Sequence, residues 1–447
     1  MRRPDSFLKG ALEQWKGAVG RGVRSLYRLL PLGDVERGRI KTAVHSVGRP
    51  FARLLGSREP EWSKLVPDWD GSWSSLFPPV ESDARRLLVI DWKPPTPDRD
   101  SGSFRMRMIL ELMSEDGWVI DFIGDRRAED LSYEASLQEL GIPVIIGQEA
   151  AFRHLTHHGS AYRTVWISRP EIAERYLPMV RALAVQAWVI YDTVDLHWIR
   201  LRRGMPFSDT PEVLRVASER YRAIELCNAR CSDLTIAITD DERAALQEAS
   251  PGLAVAVLPN IHRVCLHVAP VSTRSDLFFI GSFNHPPNVD AVIYFAHEIF
   301  PLILQQLPDV RFHIAGSDMP YSVRALKSRR IDPIGFVRDV TPWFQRARVF
   351  VAPLRHGAGM KGKVGQSLAF GLPVVTTRVG AEGMGLTHEI NAMIADDRVG
   401  FAEAVIRLYS DDRLWLRLSS AGRELVGRSF SREAVRRVLT PVLGSNE

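Results

Sequence analysis

Cysteine is scarce in this 447-residue chain, with only Cys227, Cys231 and Cys265. Three thiols cannot build a disulfide framework, and an odd number fits a reducing compartment. No run of about 18 uninterrupted apolar residues occurs, so no ordinary membrane-spanning helix is expected. The first residues are basic but lack an apolar core followed by small cleavage-site residues, and they do not read as a secretory signal. The expected location is therefore the cytoplasm. Acidic residues are sparse at one end. Residues 1–58 hold 13 Lys and Arg against Asp5, Glu13, Asp34 and Glu36, a net +9, which leaves −4 for the remainder of a chain whose total is +5.

The rest of the composition, 45% hydrophobic and 25% charged, is that of an ordinary globular protein. The length exceeds the size at which one hydrophobic core stops growing, so at least two domains are expected. Residues 1–58 read as a basic, amphipathic helical arm. Phe7, Leu8, Ala11, Leu12, Trp15 and Val19 fall at helical spacing, with Lys9, Lys16 and Arg21 elsewhere on the wheel. Such an arm, within residues 6–57, suits an anionic inner-membrane surface and equally suits packing on the body or on a second subunit. Residues 59–85, rich in Pro, Ser, Trp and Asp, read as a linker.

From Arg86 short apolar strands alternate with helical stretches, beginning with Leu87–Asp91, Trp118–Gly124 and Trp188–Asp192. The alternation restarts at Leu277–Gly281 and continues through Arg311–Gly316, Val349–Leu354 and Pro373–Thr377. This predicts an α/β chain of two Rossmann-like, doubly wound domains, residues 86–270 and 271–447, the second closed by terminal helices. Ligands of such sheets sit at the carboxyl ends of the strands, so the loops there carry the functional argument.

After Leu354 the sequence reads Arg355-His-Gly357-Ala-Gly359-Met-Lys361-Gly-Lys363-Val-Gly-Gln366. A buried strand runs into a glycine-rich turn and then a helix. Gly357 and Gly359 let the backbone approach a ligand and take positive φ. The unpaired N–H groups and dipole of the helix start favour an anion, and Arg355, Lys361 and Lys363 add positive charge. The combination predicts a diphosphate site. Gly357-x-Gly359-x-x-Gly362, with Glu382 twenty residues on, also matches a dinucleotide fingerprint. That fingerprint normally follows the first strand of its domain, whereas several elements precede it here.

These residues, together with Gly281-Ser-Phe-x-x-x-Pro287-Asn288, Phe312-x-Ile-Ala-Gly316, Gly335-Phe-Val, Gly371-x-Pro373-Val-Val and Glu382-Gly383, resemble the retaining GT-B glycosyltransferases of family 4, or "group 1". In the first domain, Pro95-x-Pro97-Asp-x-Asp-Ser-Gly102 and Tyr191-Asp-Thr-Val-Asp-Leu-His197 resemble that family's first loop and strand-end acidic motif. The resemblance implies a nucleotide diphosphate-sugar donor and a glycan or lipid-linked acceptor, as in surface-polysaccharide assembly. It assigns Gly281, Arg355, Gly357, Gly359, Lys361, Lys363, Gln366, Glu382 and Gly383 to the donor, and Gly102 and Ser103 to the acceptor or the leaving phosphate. His197, steered by Asp195, is the candidate catalytic side chain, with Lys363 stabilising the departing diphosphate; a satisfied surface or interdomain His197, and an Asp195 that caps the next helix, are the other readings. The chain departs from the family at its Glu-x7-Glu pair, where Ala358 and Gln366 stand.

No cofactor or metal is expected, since helix dipoles and side-chain cations can stabilise the leaving group. Asp98-x-Asp100 has the spacing of a metal-binding pair but lies in a loop before a helix. Cys227 and Cys231, at helical spacing, read as small buried residues rather than zinc ligands. No nucleic-acid motif accompanies the basic arm. A catalytically silent binding module and a sugar-nucleotide epimerase remain the alternative functions.

Overall fold

The computed structural model describes residues 85–443. The expected helical arm and linker, residues 1–58 and 59–85, lie outside the described residues except for Arg85. Two wholly parallel sheets account for the architecture. The first has seven strands, β1 (Arg86–Asp91), β2 (Val119–Gly124), β3 (Val144–Ile146), β4 (Thr164–Ser168), β5 (Trp188–Asp192), β6 (Leu234–Ala237) and β7 (Val255–Val257), in the order β3-β2-β1-β4-β5-β6-β7. The second has six, β8 (Ser275–Ile280), β9 (Phe312–Ala315), β10 (Ile331–Gly335), β11 (Ala347–Ala352), β12 (Val374–Thr376) and β13 (Met393–Ile394), in the order β10-β9-β8-β11-β12-β13.

The central strands are mostly apolar because helices cover both faces of each sheet. Leu87, Leu88, Val89 and Ile90 of β1 are all buried, as is the whole of β11. Strand order reverses between β1 and β4, where Leu87 pairs with Thr164, and between β8 and β11, where Leu277 pairs with Val349. The loops at these two switch points face the cleft between the sheets, the usual ligand position in open α/β sheets.

One expectation needs correction. The last helix, Arg432–Val442, does not close the second domain. Its Val435, Leu439 and Val442 join the core formed by Leu87, Met106, Ile109 and Phe122 of the first. Arg432 also pairs with Glu111 at 2.6 Å, and Arg436 with Glu115 at 2.5 Å. The chain thus crosses between domains twice, first through the segment around residues 258–268 and again before Arg432. Among the described residues no helix is long and apolar enough to cross a membrane.

Candidate donor site

The helix Gly362–Ala369 begins at the carboxyl end of β11, and no side chain caps its first turn. Its leading N–H groups are therefore available to an anion. Lys363 stands on that turn. Its stem passes over Gly281, where a Cβ would lie 3.1 Å from Lys363 Cε, and its ammonium donates to Asn288 Oδ1. Burial pushes the Lys363 ammonium down to about 7, and neighbouring Lys361 adds to the effect. An arriving phosphate would restore the charge, so this lysine is suited to an anion.

Lys361 points elsewhere. Its ammonium donates to Ala358 O at 3.0 Å and to Gly359 O, and lies 3.8 Å from Glu382. Burial lowers it to about 8, against the opposing pull of Glu382 and Glu242. Glu382 is gripped by Arg203 of the first domain at 2.6 Å, and Arg203 also donates to Gly357 O at 3.1 Å. Arg355, expected to serve the phosphates, instead holds Asp290 and lies over the rings of Phe207 and Tyr294. Its guanidinium is committed to this ion pair.

Gly357 and Gly359 have the expected positive φ, +137° and +65°. At Gly359 the freedom serves contact between the domains, because a Cβ there would lie 2.8 Å from Ile238 Cδ1 and 3.2 Å from Glu242 Oε1. Gly383 is equally tight against Thr239, whose Cγ2 would sit 2.2 Å from a Cβ. Gln366 lies half-buried on the exposed side of its helix, and among the described residues its side chain makes no hydrogen bond.

The first domain contributes strand-end loops under strain. Arg169, after β4, has φ +74°, and Val194, after β5, has φ +64°. Non-glycine residues adopt such angles at a cost of roughly 1–3 kcal/mol each, and they concentrate at functional sites. Arg169 donates to Asp91 at 2.8 Å and passes close to Gly102. Ser103 is not free as expected. Its N–H and its hydroxyl both donate to Asp100, each at 2.8 Å, which caps the helix Ser101–Glu115. Asp98 accepts from Tyr133, so Asp98 and Asp100 hold separate partners.

His197 is a satisfied side chain. Its Nδ1 lies 3.5 Å from Asp195 Oδ1 and 3.4 Å from Glu225 Oε1, and its ring stacks on Tyr221 with centroids 5.0 Å apart. Burial opposes its charge, yet the Asp195 and Glu225 carboxylates hold it above the ordinary histidine range. Asp195 faces the cleft beside Gly359 and accepts from Arg200 at 2.7 Å. It does not cap the following helix. Glu225 does that from 28 residues away, accepting from the N–H groups of His197 and Trp198.

Sequence reasoning missed Glu242. It is buried where the two domains meet, accepts from Leu196 N and Ile238 N, and is raised to about 7 by burial and by the Asp195 charge. Cys231 packs on the core of the first domain, whereas Cys265 contacts Gln345 of the second, so the cysteines do not converge.

Residues 274–411 match the family model of the glycosyl transferases group 1. A 140-residue stretch is 26% identical to an uncharacterized 44.6 kDa protein in the cps region of Klebsiella pneumoniae, covering 29% of this chain and 36% of that one. A 120-residue stretch is 31% identical to the lipopolysaccharide core biosynthesis glycosyltransferase LpsE of Rhizobium meliloti, covering 26% and 35%. The chain thus spans about a third of the length of these curated relatives. Among solved structures, Alr3699/HepE of Anabaena in complex with UDP-glucose superposes with a TM-score of 0.61 at 14% identity, over 81% of this chain and all of the other. That likeness establishes the two-domain GT-B fold, and the family match places the glycosyl transferases group 1 signature on its second domain.

Proposed function

We propose that the protein is a retaining glycosyltransferase that moves a sugar from a nucleotide diphosphate onto a glycan or lipid-linked acceptor in surface-polysaccharide or cell-envelope assembly. The observation that carries the reading is Lys363, a half-buried ammonium with a lowered affinity for its proton, set on an uncapped helix start at the switch point of the second sheet. Such a group binds a diphosphate and stabilises the charge that grows on it as the sugar leaves. Relatives support the substrate class. LpsE is named for lipopolysaccharide core synthesis, and the Anabaena protein holds UDP-glucose. The side chains at the site supply the cations, and the reading requires no metal. A peripheral position on the inner membrane surface, through residues 6–57, fits a lipid-linked acceptor. Lys363→Ala should abolish sugar transfer while leaving the fold intact by circular dichroism; near-wild-type turnover would refute the site.

One observation favours a second reading. Gln366 supplies no carboxylate where the resembled family has one, so a silent GT-B module would bind nucleotide without turnover. Incubation with radiolabelled sugar nucleotides and a membrane extract separates the two, transfer of label excluding the silent module.

A further inference from the structure

The core that the returning helix Arg432–Val442 completes is open at one end. Trp188 begins β5, Leu234 begins β6 and Ala256 lies within β7. With Val438, Pro441 and Val442 of the helix they line a groove at the amino edge of the first sheet, and its wall is almost wholly apolar. Leu234 and Ala256 pack against the core that holds Ile190 and Ile236, yet Trp188 is 44% exposed and Val438 37%. Contiguous apolar surface of this kind marks a place where something binds. The chain enters the described residues at the same edge. Arg85 O accepts from Val119 N, and two residues later Leu87 pairs with Thr164, which pairs with Trp188. Trp188 is therefore two strands from Leu87, about 10 Å at the usual spacing of neighbouring strands.

We infer that this groove is filled by the chain's own residues 73–80, which lie outside the described residues. Their sequence, Trp73-Ser-Ser-Leu76-Phe77-Pro78-Pro79-Val80, carries no charge between Asp70 and Glu81. An extended chain advances at most about 3.5 Å per residue, so Val80, five residues before Arg85, reaches about 18 Å and Leu76 about 30 Å. The groove begins about 10 Å across the sheet and ends two strands further on, at β7, so residues 76–80 span it. The chemistry also matches. An apolar groove would leave a backbone N–H without a partner. Pro78 and Pro79 have no N–H, and Phe77, before a proline, favours extended backbone. Gly444-Ser-Asn-Glu447 leaves the same helix but is polar. A second copy does not fit either, because six side chains offer far less than the roughly 800 Å² per partner of a stable interface. Once seated, the segment holds the returning helix against the first sheet. It also starts the basic residues 1–58 from the edge of the sheet opposite the cleft.

Hydroxyl-radical footprinting of the full chain tests this, because mass spectrometry then reads the solvent exposure of individual side chains. In the wild type, Phe77 and Trp188 should be oxidised slowly. Val438→Glu places a charge in the groove at a part-exposed position and should raise oxidation of Phe77 severalfold. Phe77→Asp leaves every groove residue in place and should raise oxidation of Trp188 severalfold, while the buried Trp166 of the core stays protected. Unchanged oxidation of Trp188 in Phe77→Asp would overturn the inference. So would unchanged oxidation of Phe77 in Val438→Glu. Should Val438→Glu expose Trp166 as well, the Phe77→Asp arm alone decides. Protection of Trp188 that fades on dilution in both the wild type and Phe77→Asp would assign the groove to a second copy and overturn the inference equally.

Discussion

Lowering the pH should weaken the fold through His262, and the size of the effect follows from its surroundings. His262 lies on the segment joining the two sheets, is 6% exposed, and is anchored by its N–H to Phe430 O at 2.8 Å. Among the described residues its Nε2 has no partner. The ring presses on Gly365 so closely that a Cβ there would be 2.2 Å from Nε2. Burial alone drives the imidazole from 6.5 to about 4. Because the folded value is depressed, the stability is fully present above the unfolded value and is lost as pH falls toward the folded one. The whole shift corresponds to about 3 kcal/mol, and about 2 kcal/mol should disappear between pH 7.5 and pH 5. Urea unfolding of wild type and His262→Gln across this interval isolates the effect, because all other histidines titrate in both proteins. The variant should lose about 2 kcal/mol less than the wild type. Equal losses would refute the reasoning, whatever the variant's stability at neutral pH.

The cleft yields further expectations. Arg203→Ala removes a part-exposed ion pair, so global stability should change by less than about 1 kcal/mol. Amide exchange in residues 357–361 should accelerate and turnover should fall severalfold; unchanged exchange would mean that Arg203 does not hold the loop. Gln366→Glu, which restores a carboxylate of the resembled family's Glu-x7-Glu pair, should tighten nucleotide-sugar binding by roughly tenfold, because a charge-assisted hydrogen bond to a donor hydroxyl is about twice as strong as a neutral one. Unchanged or weaker binding by calorimetry with UDP-glucose, GDP-mannose and dTDP-glucose would remove Gln366 from the donor site.

Much of this architecture can be read from residue pattern, for physical reasons. β1, β5 and β11 are apolar because both faces of a parallel sheet are covered, and that leaves a clear trace. β10 leaves almost none, since Ile331-Asp-Pro-Ile-Gly335 holds a proline and an acid that only an edge strand tolerates. β13, two residues long and at the opposite edge, is equally silent. The amphipathic face of Arg432–Val442 announces that the helix packs, but periodicity cannot say against which domain. At the site, Lys363 and its glycines follow from local chemistry. His197 does not, because its fate is decided by Glu225, distant in sequence and buried on another helix. Glu242 is hidden for a similar reason. Asp240-Asp241-Glu242 looks like a solvated helix start, and only the cap by Thr239 and the neighbouring Ile238 turn the third carboxylate inward.

The glycine pattern after β11 therefore has two physical causes that sequence merges into one. Gly362 opens an uncapped helix whose N–H groups can meet an anion. Gly359, Gly383 and Gly362 itself also remove the Cβ atoms that would strike Ile238, Thr239 and Ser101, so they permit the first domain to close on the second. Closure brings Asp195, Arg203 and Glu242 against Lys361, on the loop after β11, and Glu382, which follows β12. The joining segment and the returning helix Arg432–Val442 tie the domains together, with Arg432 on Glu111 and Glu115. The charges facing the cleft are consequently a property of the pair of domains. The second domain by itself would retain Lys363 on its uncapped helix. It would lose Arg203 from Glu382, and Glu242 and Asp195 from the surroundings of Lys361, whose ammonium is tuned by carboxylates of both domains. Anion binding can therefore reside in the second domain, whereas the electrostatic setting of Lys361 requires both.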